Sequence, residues 1–165
     1  MRKLGGEHAN VVIHGQNYDE AQAEALRLVE LEGRALIHPF DDPLVIAGQG
    51  TIGLEVLKQM NGKPLDAIFV CCGGGGMLAG IAAYVKRVRP QVMIIGVEAA
   101  DGAGMTASLK AGVRTSLETV GTFADGAAVQ TIGAETFRIC NELVDEMVTV
   151  SNDEICAAIE NGFEE

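Results

Sequence analysis

Residues 65–77 constrain the fold more than any other stretch. Residues 65–72 read LDAIFVCC, an apolar, partly β-branched run of strand length, and Gly73, Gly74, Gly75 and Gly76 follow it directly. Met77 then opens a helical segment that reaches Arg89, with Arg87 and Arg89 in its last turn and Pro90 behind them. Turn residues bound the apolar run on both sides, which predicts a strand buried on both faces of a parallel sheet. Glycines at such a junction let the backbone take positive φ and let a ligand approach with no Cβ in the way. The first turn of the next helix offers unpaired N–H groups and the positive end of the helix dipole. Together these make a cradle for an anion, most naturally a phosphate. A turn needed only for packing is the plainer explanation. Four glycines in a row argue against it, because each raises the entropy lost on folding.

The rest of the chain alternates in the same way. Residues 11–14 are apolar and β-branched and predict a strand, and residues 35–37 predict a short buried one. Between them Ala21, Ala25, Leu28 and Val29 fall at helical spacing, and Gly33 is a helix stop. Asp42 followed by Pro43 reads as an N-cap with proline at the first helical position, opening a helix that ends near Met60 before Asn61 and Gly62. Residues 92–98 (VMIIGVE) are a second buried strand and 147–150 a third. Residues 105–111 and 133–143 read as helices, with mostly loop over 113–131. Ser151 and Glu154 form a capping box at the start of a last helix. Such alternation predicts an α/β fold, three layers αβα around a mainly parallel sheet. Only three strong strands are visible, fewer than the roughly four to six of a usual sheet, so the chain is expected to be a piece of something larger.

Composition excludes several classes. The 165 residues carry 12 Lys plus Arg against 23 Asp plus Glu, a net charge of −11, and no basic stripe that would suit nucleic acid. No apolar run reaches the roughly 18 residues of a membrane helix. The basic N-terminus lacks the apolar stretch of a secretory signal. Cys71, Cys72, Cys140 and Cys156 make no CxxC pair and read as reduced, buried thiols.

Other chemistry has little support. His8, His14 and His38 lack paired spacing, so no metal site is expected. Lys58, Lys86 and Lys110 sit near helix ends and Lys63 in a turn, so none reads as an activated nucleophile. Asp41 and Asp42 read as capping residues. Gly74-x-Gly76-x-x-Ala79 formally fits the relaxed dinucleotide fingerprint, and Glu98 ends the next strand where a ribose-binding acid would stand. A nicotinamide-binding Rossmann domain is therefore a competing reading, although a flat run of four glycines favours a monophosphate.

A set of motifs in order adds a resemblance. RKLGGE at 2–7, YDEA at 18–21, IAGQGT at 46–51, GGGGMLAG at 73–80, IGVE at 95–98, FADG at 123–126 and DEICA at 153–157 resemble the biosynthetic threonine dehydratases, also called threonine deaminases. These belong to the tryptophan-synthase-β-like class of pyridoxal-phosphate enzymes, with serine racemase and serine dehydratase as relatives. Each motif is weak alone; the ordered set, running nearly end to end, is specific.

The resemblance implies that Gly73, Gly74, Gly75, Gly76 and Met77 hold the phosphate of pyridoxal 5'-phosphate, and that Gly126 lies near the cofactor ring. It implies that residues 1–38 end a small domain and 39–165 form most of a large one, both incomplete. It implies a homo-oligomer acting on threonine or serine, cytoplasmic, or plastid if the source is a plant or alga. Some relatives bind a divalent ion through an acid matching Glu98, but the second acid of that site has no match here. The lysine that anchors the cofactor lies in a Ser-x-Lys motif upstream of the glycines, and no such motif precedes them in this chain. The partner of the pyridine nitrogen lies downstream of Glu165. No catalytic residue is therefore expected in these 165 residues, and the chain alone is expected to be inactive. A non-catalytic phosphate-binding remnant is the remaining alternative.

Overall fold

The computed structural model describes residues 9–164. The chain divides into two compact units, Met1–Ile37 and His38–Glu165. Among the described residues of the first unit, helix α1 (Tyr18–Glu32) is capped by the Asn17 side chain and closed by Gly33 in the left-handed conformation. The strands expected over 11–14 and 35–37 do not form. Both runs find no ladder partner among the described residues, and Ile13 (84% exposed) and Ile37 (76%) show that neither is buried. The motif at 2–7 and His8 lie outside the described residues.

The second unit holds the sheet. Its elements run α2 (Pro43–Met60), β1 (Ala67–Cys71), α3 (Gly76–Val88), β2 (Met93–Ala99), α4 (Gly104–Ala111), α5 (Ala134–Leu143), β3 (Glu146–Val150) and α6 (Asn152–Glu164). The three strands lie in the order β1-β2-β3, all parallel, with Phe69 beside Ile95 and Val97 beside Val148. This is the predicted α/β architecture. The expected helix over 77–89 begins one residue earlier, at Gly76.

Period two divides the sheet into two faces. Val70, Ile94 and Glu98 point to one face and are buried there with Leu78 and Val85 of α3, Met105 of α4 and Cys140 of α5. Fully burying one such aliphatic side chain stabilises by about 1.5–3 kcal/mol. The opposite face is covered at β2 and β3, where Val97 and Val150 line a pocket with Ile155 and Ile159 of α6. At β1 it is open, since Phe69 is 66% exposed and Cys71 is exposed too. The expectation that β1 is buried on both faces, and Cys71 with it, is thus corrected, and Cys156 of α6, also expected to be buried, is exposed. An apolar run reads the same in a central and an edge strand, and β1 is an edge.

Two helices reach the site through a close crossing. A Cβ on Gly80 of α3 would strike the Ile46 carbonyl oxygen of α2 and come within 2.8 Å of the Gly50 nitrogen. Backbone therefore packs on backbone, and the glycines at 50 and 80 let α2 lie against α3. That contact fixes the segment leading into α2, including Phe40, over the start of α3.

Candidate functional site: the glycine loop

The loop leaves β1 at its carboxyl end, where ligands bind in open α/β sheets. Gly73 is half-buried, Gly74, Gly75 and Gly76 are buried, and Met77 is half-buried in the first turn of α3. Gly75 is the N-cap of α3 with φ of 95°, a value that L side chains rarely adopt. Space is as restrictive as torsion. A Cβ on Gly74 would enter the Phe40 ring, and one on Gly73 would stand 3.0 Å from the Ala127 backbone.

The donors decide what the loop can do. Among the described residues the N–H groups of Gly73, Gly74 and Gly75 donate to no protein acceptor. In the first turn of α3 the ladder begins with Ala79, whose N–H donates to the Gly75 oxygen at 2.9 Å, so Gly76, Met77 and Leu78 have no partner four residues back. Buried N–H groups without a partner are rare in native proteins and call for one.

Each other described helix has its first-turn donors met by a side chain. Asn17 caps α1, Asp42 caps α2 through Leu44 and Val45, and Ser151 caps α6 through Glu154. Asp41 caps α5 from 93 to 95 residues away, accepting from Ala134 and Glu135 at 2.8 Å and from Thr136 at 3.1 Å. Glu98, 2% exposed, closes α4. Its two oxygens accept from Met105 N, Thr106 N and Thr106 Oγ1 at 2.7–2.8 Å. Among the described α-helices, α3 is the one whose first-turn N–H groups meet no side chain.

These contacts make Glu98 the cap of α4. Both oxygens accept from the first turn of α4, inside the core. Burial lifts its carboxyl above the ordinary range, against the pull of the Thr106 and Met105 bonds. No group of three or more His, Cys, Asp or Glu that could hold a metal occurs among the described residues. Burial, with Glu98 nearby, also pushes the Cys72 thiol well up and Cys140 up to about 12, so neither is a nucleophile.

The loop has three protein walls. Phe40 covers Gly74 and Gly76, Met105 and Thr136 lie under Gly75, and Ala127 backs Gly73. Gly126 is exposed in the 3-10 turn Asp125–Ala127, one residue from the Gly73 contact, and a Cβ there would meet open space. The turn thus brings the second sequence-predicted segment beside the first. Ser108 and Lys110 spell a Ser-x-Lys tripeptide downstream of the loop. The structure puts it in α4, where Ser108 bonds the Thr115 N–H at 3.0 Å and Lys110 is exposed, so this lysine is no anchor at the loop. An apolar groove of about 460 Å³ between α2, α3 and α5, lined by Pro43, Leu54, Tyr84 and Ile139, includes none of Gly73 to Gly76.

Sequence reasoning missed Thr136 and Phe40 entirely and recognised Asp41 only as a generic cap. Gly133 makes room for that cap, since a Cβ there would strike the Asp41 carboxylate, a contact that no local sequence signal announces.

The family profile described as "Pyridoxal-phosphate dependent enzyme" matches residues 1–165. This chain belongs to that family. Within it, the chain is 52% identical over 165 residues to the L-threonine dehydratase biosynthetic IlvA of Burkholderia multivorans, covering 100% of this chain and 32% of that protein. It is 57% identical over 157 residues to the chloroplastic biosynthetic threonine dehydratase of Arabidopsis thaliana, covering 95% of this chain and 26% of that one. The structure of the processed form of threonine deaminase isoform 2 from Solanum lycopersicum superposes with a TM-score of 0.91 at 50% identity, over 99% of this chain and 46% of that chain. Maize serine racemase superposes at 0.85 with 29% identity. The chain thus spans about 26–32% of these two curated relatives. Pyridoxal-phosphate family membership displaces the nicotinamide reading of the glycines.

Proposed function

We propose that this chain is the phosphate-holding part of a threonine dehydratase, which converts L-threonine to 2-oxobutyrate and ammonia. The observation that carries the proposal is the uncapped start of α3. It presents N–H groups on Gly73, Gly74, Gly75, Gly76 and Met77, with no side chain to meet them. In our reading these donors receive the phosphate of pyridoxal 5'-phosphate, and Gly126 lies along the cofactor ring. Bound pyridoxal phosphate supplies an electron sink for chemistry at the α-carbon of an amino acid.

The chain's own residues bind and orient. Five successive N–H groups and the positive end of the α3 dipole hold the dianion, with no lysine or arginine among the residues that wall the loop. Phe40 keeps water from one side of the loop and Met105 from beneath it. Identity of 52% and 57% to threonine dehydratases, against 29% to a serine racemase, favours threonine over serine as the substrate of the whole enzyme. The domain reading places residues 1–38 at the end of a small domain and 39–165 in a large one, in a homo-oligomer. In this reading the lysine that anchors the cofactor and the partner of its pyridine nitrogen are supplied by the rest of the enzyme.

Isothermal titration of the purified chain with pyridoxal 5'-phosphate, pyridoxal and NADH tests the cradle. Binding of the phosphate ester, weak binding of pyridoxal and none of NADH is expected; NADH binding in preference sinks the proposal. With threonine and pyridoxal 5'-phosphate, the chain should form no 2-oxobutyrate above a heat-killed control. Turnover would show that the anchoring lysine is among these residues after all.

A further inference from the structure

We infer that Thr136 is a positioning residue for the phosphate loop: from α5 it sets the direction in which Gly75 offers its N–H. The inference rests on the phosphate reading above and adds to it a residue from another helix.

The Gly74 carbonyl oxygen accepts two bonds, from Thr136 Oγ1 at 2.8 Å and from Gly133 N at 3.3 Å. The peptide joining Gly74 to Gly75 is trans and planar, so its C=O and N–H point in opposite directions. With the carbonyl held against the first turn of α5, the Gly75 N–H is turned away from α5 and is left as a free donor. The next donors are fixed by a different device. The Gly75 oxygen accepts from Ala79 N, so the Gly75–Gly76 peptide lies in the α3 ladder and the helix itself aims the N–H groups of Gly76 and Met77.

The Gly74–Gly75 peptide is outside that ladder. It lies between two glycines, which tolerate both signs of φ, so little in the local chain opposes its rotation. Thr136 supplies the opposition. Its side chain is 0% exposed, and its own N–H is held by Asp41. Asp41 follows Phe40, whose ring lies on Gly74. The segment at 40–41, the first turn of α5 and the loop therefore close a ring of contacts, and Thr136 is the member that grips the peptide.

Hydrogen-bond satisfaction alone does not require a hydroxyl here. Gly133 N already gives the Gly74 oxygen a partner, and valine has nearly the shape of threonine. A packing role predicts that Thr136→Val leaves anion binding unchanged. The positioning role predicts a loss confined to one amide.

The test is a titration of the ¹⁵N-labelled 165-residue chain with inorganic phosphate, followed in ¹H–¹⁵N spectra. It compares wild type, Thr136→Val, Thr136→Ala and Thr136→Ser. In the wild type the amides of Gly75, Gly76 and Met77 should shift together. In Thr136→Val the affinity should fall about tenfold, the loss of one bond to a charged acceptor. Gly75 should then lose its shift while Gly76 and Met77 keep theirs. Thr136→Ser, which keeps the hydroxyl, should titrate within about twofold of wild type. Thr136→Ala removes the hydroxyl without adding bulk, so it must give the same loss at Gly75 even if the valine variant does not fold. An intact Gly75 shift in a folded valine or alanine variant overturns the inference. A wild type with no shift at any of the three amides overturns the phosphate reading first, and the inference with it.

Discussion

Substituting Gly75 by alanine separates torsion from packing, and its size can be worked from the structure. Gly75 has φ of 95°. An L residue in the left-handed region costs about 1–2 kcal/mol. The new Cβ would also lie 2.6 Å from the Met105 methyl and 3.0 Å from Thr136 Cβ. Met105 can swing aside but Thr136 is pinned, so overpacking adds about 1–3 kcal/mol. The sum is about 2–5 kcal/mol, a melting temperature lower by roughly 5–15 °C for a chain of this size. Relaxing φ to a negative value would relieve the strain, but only by turning the Gly74–Gly75 peptide and withdrawing the Gly75 N–H. Phosphate affinity should therefore fall along with stability. Gly48 is the matched control: it lies inside α2, and a Cβ there meets nothing within 4 Å. Gly48→Ala should stabilise by about 0.5–1 kcal/mol. Urea denaturation followed by circular dichroism measures both. A Gly75→Ala chain within about 0.5 kcal/mol of wild type would refute the reasoning.

Two further outcomes are expected. Iodoacetamide on the native chain should label Cys71 and Cys156, which are exposed, and spare Cys72 and Cys140, with all four labelled after denaturation; rapid native labelling of Cys72 contradicts the burial described here. Burial alone would raise the Asp145 carboxyl, but Lys86 Nζ at 2.6 Å and the Ile94 N–H hold it below the ordinary range. The stability from this group is thus in place above that range and lost as pH falls through the lowered value. Lys86→Met should destabilise by roughly 1 kcal/mol at neutral pH and flatten the acid limb below about pH 4. An acid limb unchanged from wild type speaks against that pairing.

What could be read in the sequence was local. The strand, the glycines and α3 announce themselves through a bounded apolar run and the torsional freedom of glycine. Asp42 and Pro43 mark α2, and Ser151 with Glu154 marks α6. The misreadings share a cause: strand partners and sheet edges are not written in a local window. Residues 11–14 have strand composition but no partner among the described residues, and Phe69 belongs to a run that looks buried on both faces yet lies at an edge. The parts of the site that escaped are contacts across the fold. Asp41 reaches α5 over more than 90 residues and Thr136 reaches Gly74 over 62. Neither leaves a spacing that a single sequence reveals.

The most direct test of the account is a crystal of this chain soaked with pyridoxal 5'-phosphate. The account predicts phosphate density within hydrogen-bond distance of the N–H groups of Gly73 to Met77, at the uncapped start of α3, with Gly126 toward the ring. Phosphate density elsewhere, with the glycine amides left free, would contradict it.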